Sequence, residues 1–88
     1  HWTQSMAKAL ATRQIRVNAV APGIIRTRLW EVLQPDQDAY QAMIAQTMPL
    51  GRDQTPEDIA EAVAFLCSTR AAQITGEVIR IDGGFTLN

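Results

Sequence analysis

Few side chains in this sequence stand where they could do chemistry. Two pairs of carboxylates, Asp36 with Asp38 and Glu57 with Asp58, could serve as general acid and base. Each pair falls in the first turn of a predicted helix, where the positive end of the helix stabilises negative charge. We therefore interpret both pairs as charges that favour helix initiation, and we predict no metal site.

Two other reactive side chains are isolated. His1 could titrate near neutral pH, but it has no partner in the sequence, and we interpret it as a packed or solvated helix residue. Cys67 is the single cysteine, so it cannot form an internal disulfide. Its apolar helical surroundings predict a buried, inert thiol.

The stretch from Ile15 to Leu29 is the one that predicts a ligand site. The core of the stretch, VNAVA at 17–21, shows no alternation of apolar and polar residues, which is typical of an interior parallel strand covered on both faces. Proline cannot donate to a ladder, so we expect strand pairing to stop at Pro22, while Gly23 lets another group approach the backbone. In an α/β protein, a strand that ends this way delivers a loop to the ligand edge of the sheet.

A helix before this strand must position it. The pattern predicts that helix from His1 to about Thr12, with an apolar stripe at Trp2, Met6 and Leu10. The link to the strand is short, so we expect Gln14 in the left-handed conformation that glycine usually takes, at a cost of about 1 kcal/mol. The chain starts inside this helical pattern, and we expect it to be the later piece of a longer polypeptide.

A second helix and a second strand follow further along the chain. TPED at 55–58 supplies an N-cap threonine, a proline at the first helical position and acidic residues in the first turn. Val78, Ile79 and Ile81 predict the last strand over 77–82, and Asp82-Gly83-Gly84 ends it. Strand, helix and strand form a βαβ unit, so the two strands should be parallel neighbours with a right-handed crossover. Two strands make a sheet too small to be stable, and we expect further strands from outside this sequence.

The long connection between the strand and the second helix holds a lid-like insertion at about 28–51. It contains one short apolar cluster at 29–33 and a helix opened by Asp36, whose apolar face carries Tyr40 and Ile44. Connections of this length in compact domains are often lids or substrate-binding segments. Packing of the insertion onto its own body is an equally good interpretation.

Composition restricts the class of protein. The 88 residues are 47% hydrophobic with a net charge of −1, which argues against a nucleic-acid partner. No apolar run approaches the roughly 18–20 residues of a membrane span. We expect one small domain at most, without a membrane partner, in the cytoplasm.

Three motifs in the same order resemble a known family. They are RVNAVAPGIIRT at 16–27, PLGRDQTPEDIAEAVAFLCS at 49–68 and TGEVIRIDGG at 75–84. Together they look like the C-terminal portion of a classical short-chain dehydrogenase/reductase. The resemblance implies an α/β fold, with residues 1–88 forming the last two strands and flanking helices of a Rossmann-type, doubly wound parallel sheet.

The resemblance also implies what this chain holds and what it lacks. The glycine-rich turn for the dinucleotide pyrophosphate is absent, and the family's catalytic Ser, Tyr and Lys would precede His1. Tyr40 is the only tyrosine and has no lysine four residues later. The resemblance therefore implies no catalytic residue here, an inactive segment, and a partner in the N-terminal half of the domain.

The nicotinamide end of an NAD or NADP site is what remains. The family pattern P-G-x-[IV]-x-T falls on Pro22, Gly23, Ile25 and Thr27. By resemblance, Pro22 and Gly23 pack along the nicotinamide, the Ile25 main chain pairs with its carboxamide, and the Thr27 hydroxyl can bond the same end. Groups that recognise the carboxamide keep one ring face against the substrate.

Two functions follow from these patterns. The first is the C-terminal segment of an NAD(P)-dependent oxidoreductase that interconverts a small-molecule carbonyl and alcohol, in a homodimer or homotetramer. The alternative is an assembly or interaction module without cofactor, favoured by the apolar stripe of the first helix. Arg26 and Arg28 could meet cofactor phosphate or an acidic substrate, although exposure on a loop is the commoner state of arginine.

Overall fold

A pair of parallel strands joined by a long connection organises the computed structural model, which describes residues 2–87. The strands are β1 (Ala19–Pro22) and β2 (Val78–Ile81), paired in the register Ala19 with Val78 through Pro22 with Ile81. The α-helices are α1 (Trp2–Leu10), α2 (Arg28–Leu33), α3 (Gln37–Thr47) and α4 (Pro56–Cys67). Single 3₁₀ turns occupy Ala11–Arg13, Thr69–Ala71 and Phe85–Leu87. The parallel βαβ arrangement predicted from the sequence is confirmed.

Strand pairing continues through Pro22, so the expectation that it stops there is wrong. Ala19 N–H donates to the Glu77 carbonyl at 2.8 Å and Gly23 N–H donates to the Ile81 carbonyl at 3.0 Å. The N–H and C=O groups of successive residues in a strand point in opposite directions. Those of residues 19, 21 and 23 therefore point towards β2, and those of Val20 and Pro22 point towards the other edge of β1. Pro22 has no backbone N–H, but an N–H at this position would point away from β2, so the pairing with β2 loses no hydrogen bond.

The sheet is open within residues 2–87. No third strand pairs with β1 in the described part of the chain, and β1 is only half-buried. The Cα radius of gyration is 16.0 Å, against about 12 Å for a compact domain of this length. The prediction that both faces of β1 are covered by protein is therefore not met by these residues themselves.

Helix α1 and the turn after it follow the predicted pattern. Gln14 adopts φ 60° and ψ 32°, the left-handed conformation expected of it. Thr3 and Ala7 are the buried residues of α1, whereas Trp2 is 80% exposed and Met6 is also exposed. The apolar stripe is therefore left uncovered by the rest of residues 2–87. His1, predicted as the first residue of this helix, lies outside the described residues.

Helix α4 begins where the TPED sequence predicts. The Thr55 side chain accepts from Asp58 N–H and the Asp58 side chain accepts from Thr55 N–H, which forms a capping box. At its other end, the Arg16 guanidinium donates to the carbonyls of Leu66 and Ser68. Leu66 is buried but Cys67 is exposed, so the prediction of a buried thiol is wrong: the surface that would cover Cys67 is not supplied by these residues.

A cluster of buried side chains lies in the insertion, whereas Ala7, Leu66 and Ala71 are buried outside it. The cluster consists of Tyr40, Ile44 and Met48, with Trp30 packed against it. The Trp30 and Tyr40 ring centroids are 6.0 Å apart, which joins α2 to α3. Part of the insertion thus packs on its own body, while Leu29, Val32 and Leu33 in α2 stay exposed.

Two further findings concern the length of the helices and the last described turn. None of the helices formed by residues 2–87 has the length and hydrophobicity needed to cross a bilayer. The last described residues form a 3₁₀ turn at Phe85–Leu87, where the Asp82 carboxylate accepts from the Thr86 N–H and hydroxyl and from Gly84 N–H.

Candidate functional site

The loop that leaves β1 carries an unpaired backbone donor and acceptor on one residue. Gln54 N–H donates to the Ile24 carbonyl at 2.9 Å, and Arg26 N–H donates to the Gln54 carbonyl at 2.7 Å. These two bonds form a parallel bridge centred on Ile25. The N–H and C=O of Ile25 therefore face away from Gln54, and neither has a hydrogen-bond partner within residues 2–87.

Gly23 leaves no room for a side chain, because the residue that follows β2 lies against it. A Cβ at this position would stand 2.9 Å from both Cα and Cβ of Asp82. Gly23 N–H is shared between the Ile81 carbonyl and the Gln54 Oε1, which it contacts at 2.8 Å. The close approach predicted for Gly23 is real, and Asp82 and Gln54 account for it from within the chain. Pro22 beside it is exposed.

Thr27 precedes α2 with its hydroxyl uncommitted to the helix. Its carbonyl accepts from Trp30 N–H at 3.1 Å, while its side chain makes no capping hydrogen bond. N-cap threonines usually use the hydroxyl to satisfy a backbone donor of the first turn. The exposed hydroxyl of Thr27 can therefore bind another group.

A buried carboxylate joins the loop to the insertion. Asp53 accepts from Arg26 Nε and Nη2, each at 2.9 Å, and from the Tyr40 hydroxyl at 2.8 Å. The Asp53 side chain is 4% exposed and that of Arg26 is 58% exposed. Arg26 is thus an exposed arginine on a loop, as expected, and its guanidinium is also paired with Asp53 through two of its nitrogens.

The charges at this junction perturb one another. Burial alone would raise the pKa of Asp53, but hydrogen bonds from Arg26 and Tyr40 and the positive charge of Arg26 hold it below its ordinary value. Burial and the hydrogen bond to Asp53 raise the pKa of Tyr40 to about 12. At neutral pH the junction is thus an ion pair bonded to a neutral phenol, and this phenol is a poor proton donor for catalysis.

A small polar cavity adjoins Thr27 between α2 and α3. Its volume is about 150 Å³. Three side-chain amides, one carboxylate, one arginine, one threonine and two aromatic rings line it. They are Arg26, Thr27, Trp30, Glu31, Gln34, Gln37, Tyr40 and Gln41. No group of three potential metal ligands was found in the part of the chain that the structure describes.

The sequence located the loop but not what holds it. Pro22, Gly23, Ile25 and Thr27 lie along one segment that runs from the last residue of β1 to the N-cap of α2. Asp53 was not singled out, because it stands in GRDQ at 51–54, a part of the second motif segment that has no periodicity. The carboxylates of Asp36 and Asp58 cap α3 and α4, which confirms their interpretation as helix-initiating charges.

Comparisons with known proteins agree with one another. Residues 1–86 match the family model described as Enoyl-(Acyl carrier protein) reductase. The 3-oxoacyl-[acyl-carrier-protein] reductase FabG of Aquifex aeolicus is 49% identical over 84 residues, covering 94% of this chain and 32% of its own length. A tropinone reductase homolog of Arabidopsis thaliana is 44% identical over 86 residues, covering 98% and 32%.

Solved structures give the same result. A 4-hydroxyisoleucine dehydrogenase complexed with NADH superposes with a TM-score of 0.89 at 37% identity, covering 99% of this chain and 35% of that one. A putative 2-deoxy-d-gluconate 3-dehydrogenase from Agrobacterium tumefaciens with bound NADP gives 0.86 at 37% identity, covering 99% and 35%. The chain thus spans about a third of these relatives. With its parallel sheet and βαβ order, it has part of a Rossmann-type fold and belongs to the short-chain dehydrogenase/reductase family.

Proposed function

We propose that residues 1–88 form the nicotinamide-facing wall and substrate lid of an NAD(P)-dependent oxidoreductase that interconverts a carbonyl and an alcohol. The observation that carries the proposal is the N–H and C=O of Ile25, which face away from Gln54 without a partner in the described chain. A carboxamide offers one acceptor and one donor side by side. The main chain of one residue with both groups free is its complement.

The residues around Ile25 fit the same group. Thr27 lies two residues on, with a hydroxyl that makes no capping bond, and Pro22 presents an exposed apolar ring. The bound cofactor would supply a hydride donor or acceptor at its nicotinamide. This chain would hold the ring so that one face meets the substrate, each neutral hydrogen bond contributing about 1 kcal/mol. Relatives with NADH and with NADP both occur, so either cofactor fits the proposal.

The catalytic groups would come from chain beyond these residues. The family's Ser, Tyr and Lys have no counterpart in the pattern of residues 1–88, and the open β1 edge and exposed Trp2 support completion by further elements. We therefore expect the segment alone to be inactive. A homodimeric or homotetrameric state and a cytoplasmic location stay predictions.

The lid role rests on how the insertion divides its apolar residues. Helix α3 buries Tyr40 and Ile44 in the local core, whereas α2 leaves Leu29, Val32 and Leu33 exposed. An apolar helix surface beside Thr27 is suited to closing over a substrate. Its chemistry is compatible with acyl, sugar or steroid-like carbonyl compounds.

The test uses the full polypeptide that contains these residues. NADH and NADPH turnover is measured on a panel of ketones, and cofactor Kd is measured for Thr27→Val and for Thr69→Val, an exposed threonine on the turn after α4. We expect turnover with one cofactor, and a Kd raised about fivefold by Thr27→Val only. A parent that binds neither cofactor, or a Thr27→Val variant that binds as well as the parent, would contradict the proposal.

An assembly module without cofactor is the second candidate, favoured by the exposed Trp2 and Met6 on α1. A parent that binds no dinucleotide but forms an oligomer, which Trp2→Ala dissociates, would support this alternative. Cofactor binding by the parent would exclude it.

A further inference from the structure

We infer that Asp53 is a positioning residue, which holds Arg26 on one side and Tyr40 on the other so that the Ile25 main chain and the Thr27 hydroxyl keep the geometry that a nicotinamide carboxamide requires. This inference rests on the proposed function. It assigns the cofactor loop a support that lies outside the P-G-x-[IV]-x-T pattern.

The first step is that Arg26 is held at both its main chain and its side chain. Its N–H donates to the Gln54 carbonyl at 2.7 Å, and its Nε and Nη2 each lie 2.9 Å from an Asp53 oxygen. A bidentate arginine–carboxylate pair fixes orientation as well as distance. Ile25 and Thr27 are the immediate neighbours of Arg26, so fixing Arg26 restricts the backbone of both.

The second step is that Asp53 is itself anchored from another element. The Tyr40 hydroxyl, on α3, donates to Asp53 Oδ2 at 2.8 Å. Tyr40 is buried in the core of the insertion with Ile44 and Met48. The carboxylate therefore transmits the position of a packed helix to a loop that has no buried side chain of its own.

The third step concerns what happens when the carboxylate changes. The Asp53 side chain is 4% exposed and accepts three hydrogen bonds from two residues. Removing its charge breaks the ion pair, and the part of the loop at Arg26 then keeps only its backbone bridge to Gln54, while Gly23 and Ile24 keep their own hydrogen bonds and packing. A looser loop weakens only those contacts that Ile25 and Thr27 make.

The experiment compares ligands with and without the nicotinamide. In the full polypeptide, Kd is measured for whichever of NADH and NADPH binds more tightly, and for ADP-ribose or 2′-phospho-ADP-ribose to match it. The variants are Asp53→Asn and the milder Tyr40→Phe, which keeps the ring and the core packing. Arg70→Gln is the control, because it removes an exposed positive charge on the turn after α4, outside both the loop and the insertion.

We expect Asp53→Asn to weaken dinucleotide binding about tenfold and Tyr40→Phe about threefold, which correspond to about 1.4 and 0.7 kcal/mol. Binding of the truncated ligand should stay within about twofold in both variants, since it makes no contact with the loop. Arg26→Lys, which keeps one charged donor for Asp53, should lose less than Arg26→Gln.

Two results would overturn the inference while leaving the proposed function intact. The first is an equal loss of affinity for the dinucleotide and for the truncated ligand, which is the signature of a general structural defect. The second is an unchanged affinity for both ligands. Tyr40→Phe decides the question if Asp53→Asn does not fold. A parent that binds neither ligand overturns the proposed function, and this inference with it.

Discussion

Replacement of Gly23 by alanine tests whether contacts within the chain explain this glycine. The new methyl carbon would lie 2.9 Å from Asp82 Cα, 2.9 Å from Asp82 Cβ and 3.1 Å from Gln54 Oε1. Carbon atoms in contact normally stand about 3.5–4.0 Å apart. The β1 end must therefore move by roughly 0.6 Å or more, against the two hydrogen bonds that Gly23 N–H makes.

The magnitude follows from the size of this clash. Inserting a methyl group into a tight contact costs about 1–3 kcal/mol. Reduced freedom of the unfolded chain returns about 0.4–1 kcal/mol. We expect a net destabilisation of about 1.5 kcal/mol, which for a protein of 150–250 residues corresponds to a melting temperature lower by about 3–6 °C.

The assay is thermal unfolding of the full polypeptide without cofactor, so that any loss is independent of ligand. Gly51→Ala is the comparison, because Gly51 has φ +76° but nothing within 4 Å of a Cβ. It should show only the cost of a left-handed alanine, about 1 kcal/mol. An unchanged or higher melting temperature for Gly23→Ala would refute the packing explanation and leave cofactor approach as the reason for the glycine.

Three further predictions concern the ion pair, the phenol and the end of α4. Arg16→Met removes the hydrogen-bond donors to the carbonyls of Leu66, Ser68 and Ile74. We expect the free energy of unfolding, measured by urea titration, to fall by about 2 kcal/mol. An unchanged free energy of unfolding would mean that these hydrogen bonds do not stabilise the fold. The pKa of Asp53 is lower in the folded state than in the unfolded state. The Asp53 carboxylate therefore stabilises the fold above the ordinary aspartate pKa of about 4, and this stabilisation is lost as the pH falls through the pKa of the folded state. Asp53→Asn should therefore be less stable than the parent at neutral pH and approach it in acid, and a constant difference across that range would be contrary evidence. The pKa of Tyr40 is raised to about 12, so the stabilisation by its neutral phenol is present below pH 10 and lost between pH 10 and about 12. A spectroscopic pH titration of the parent, with that of Tyr40→Phe subtracted, measures the ionisation of this phenol. Ionisation of Tyr40 near pH 10 would contradict the prediction.

Local patterns predicted the elements well because their causes are local. The N-cap at Thr55, the left-handed Gln14 and the cap at Asp36 are each set by a few neighbouring residues. The loop after β1 was predicted from its Pro-Gly sequence, and Ile25 and Thr27 were assigned to it by the family resemblance.

Contacts between distant segments could not be predicted, because their causes are not local in the sequence. Asp53 reaches Arg26 across 27 positions, and no periodicity links them. The Asn18 side chain joins Ile74 and Glu77 backbones, a role that its place inside an apolar strand did not indicate. The burial of Cys67 was predicted wrongly because helix patterning shows which face is apolar, not whether this stretch of chain covers it.

The most direct test of the account is a crystal structure of the full polypeptide with NADH or NADPH. We predict that the nicotinamide carboxamide pairs with the N–H and C=O of Ile25 at ordinary hydrogen-bond distances, with the Thr27 hydroxyl at the same end of the cofactor. A bound dinucleotide whose nicotinamide lies away from Ile25, with the Ile25 groups bonded to protein or water instead, would contradict the central claim.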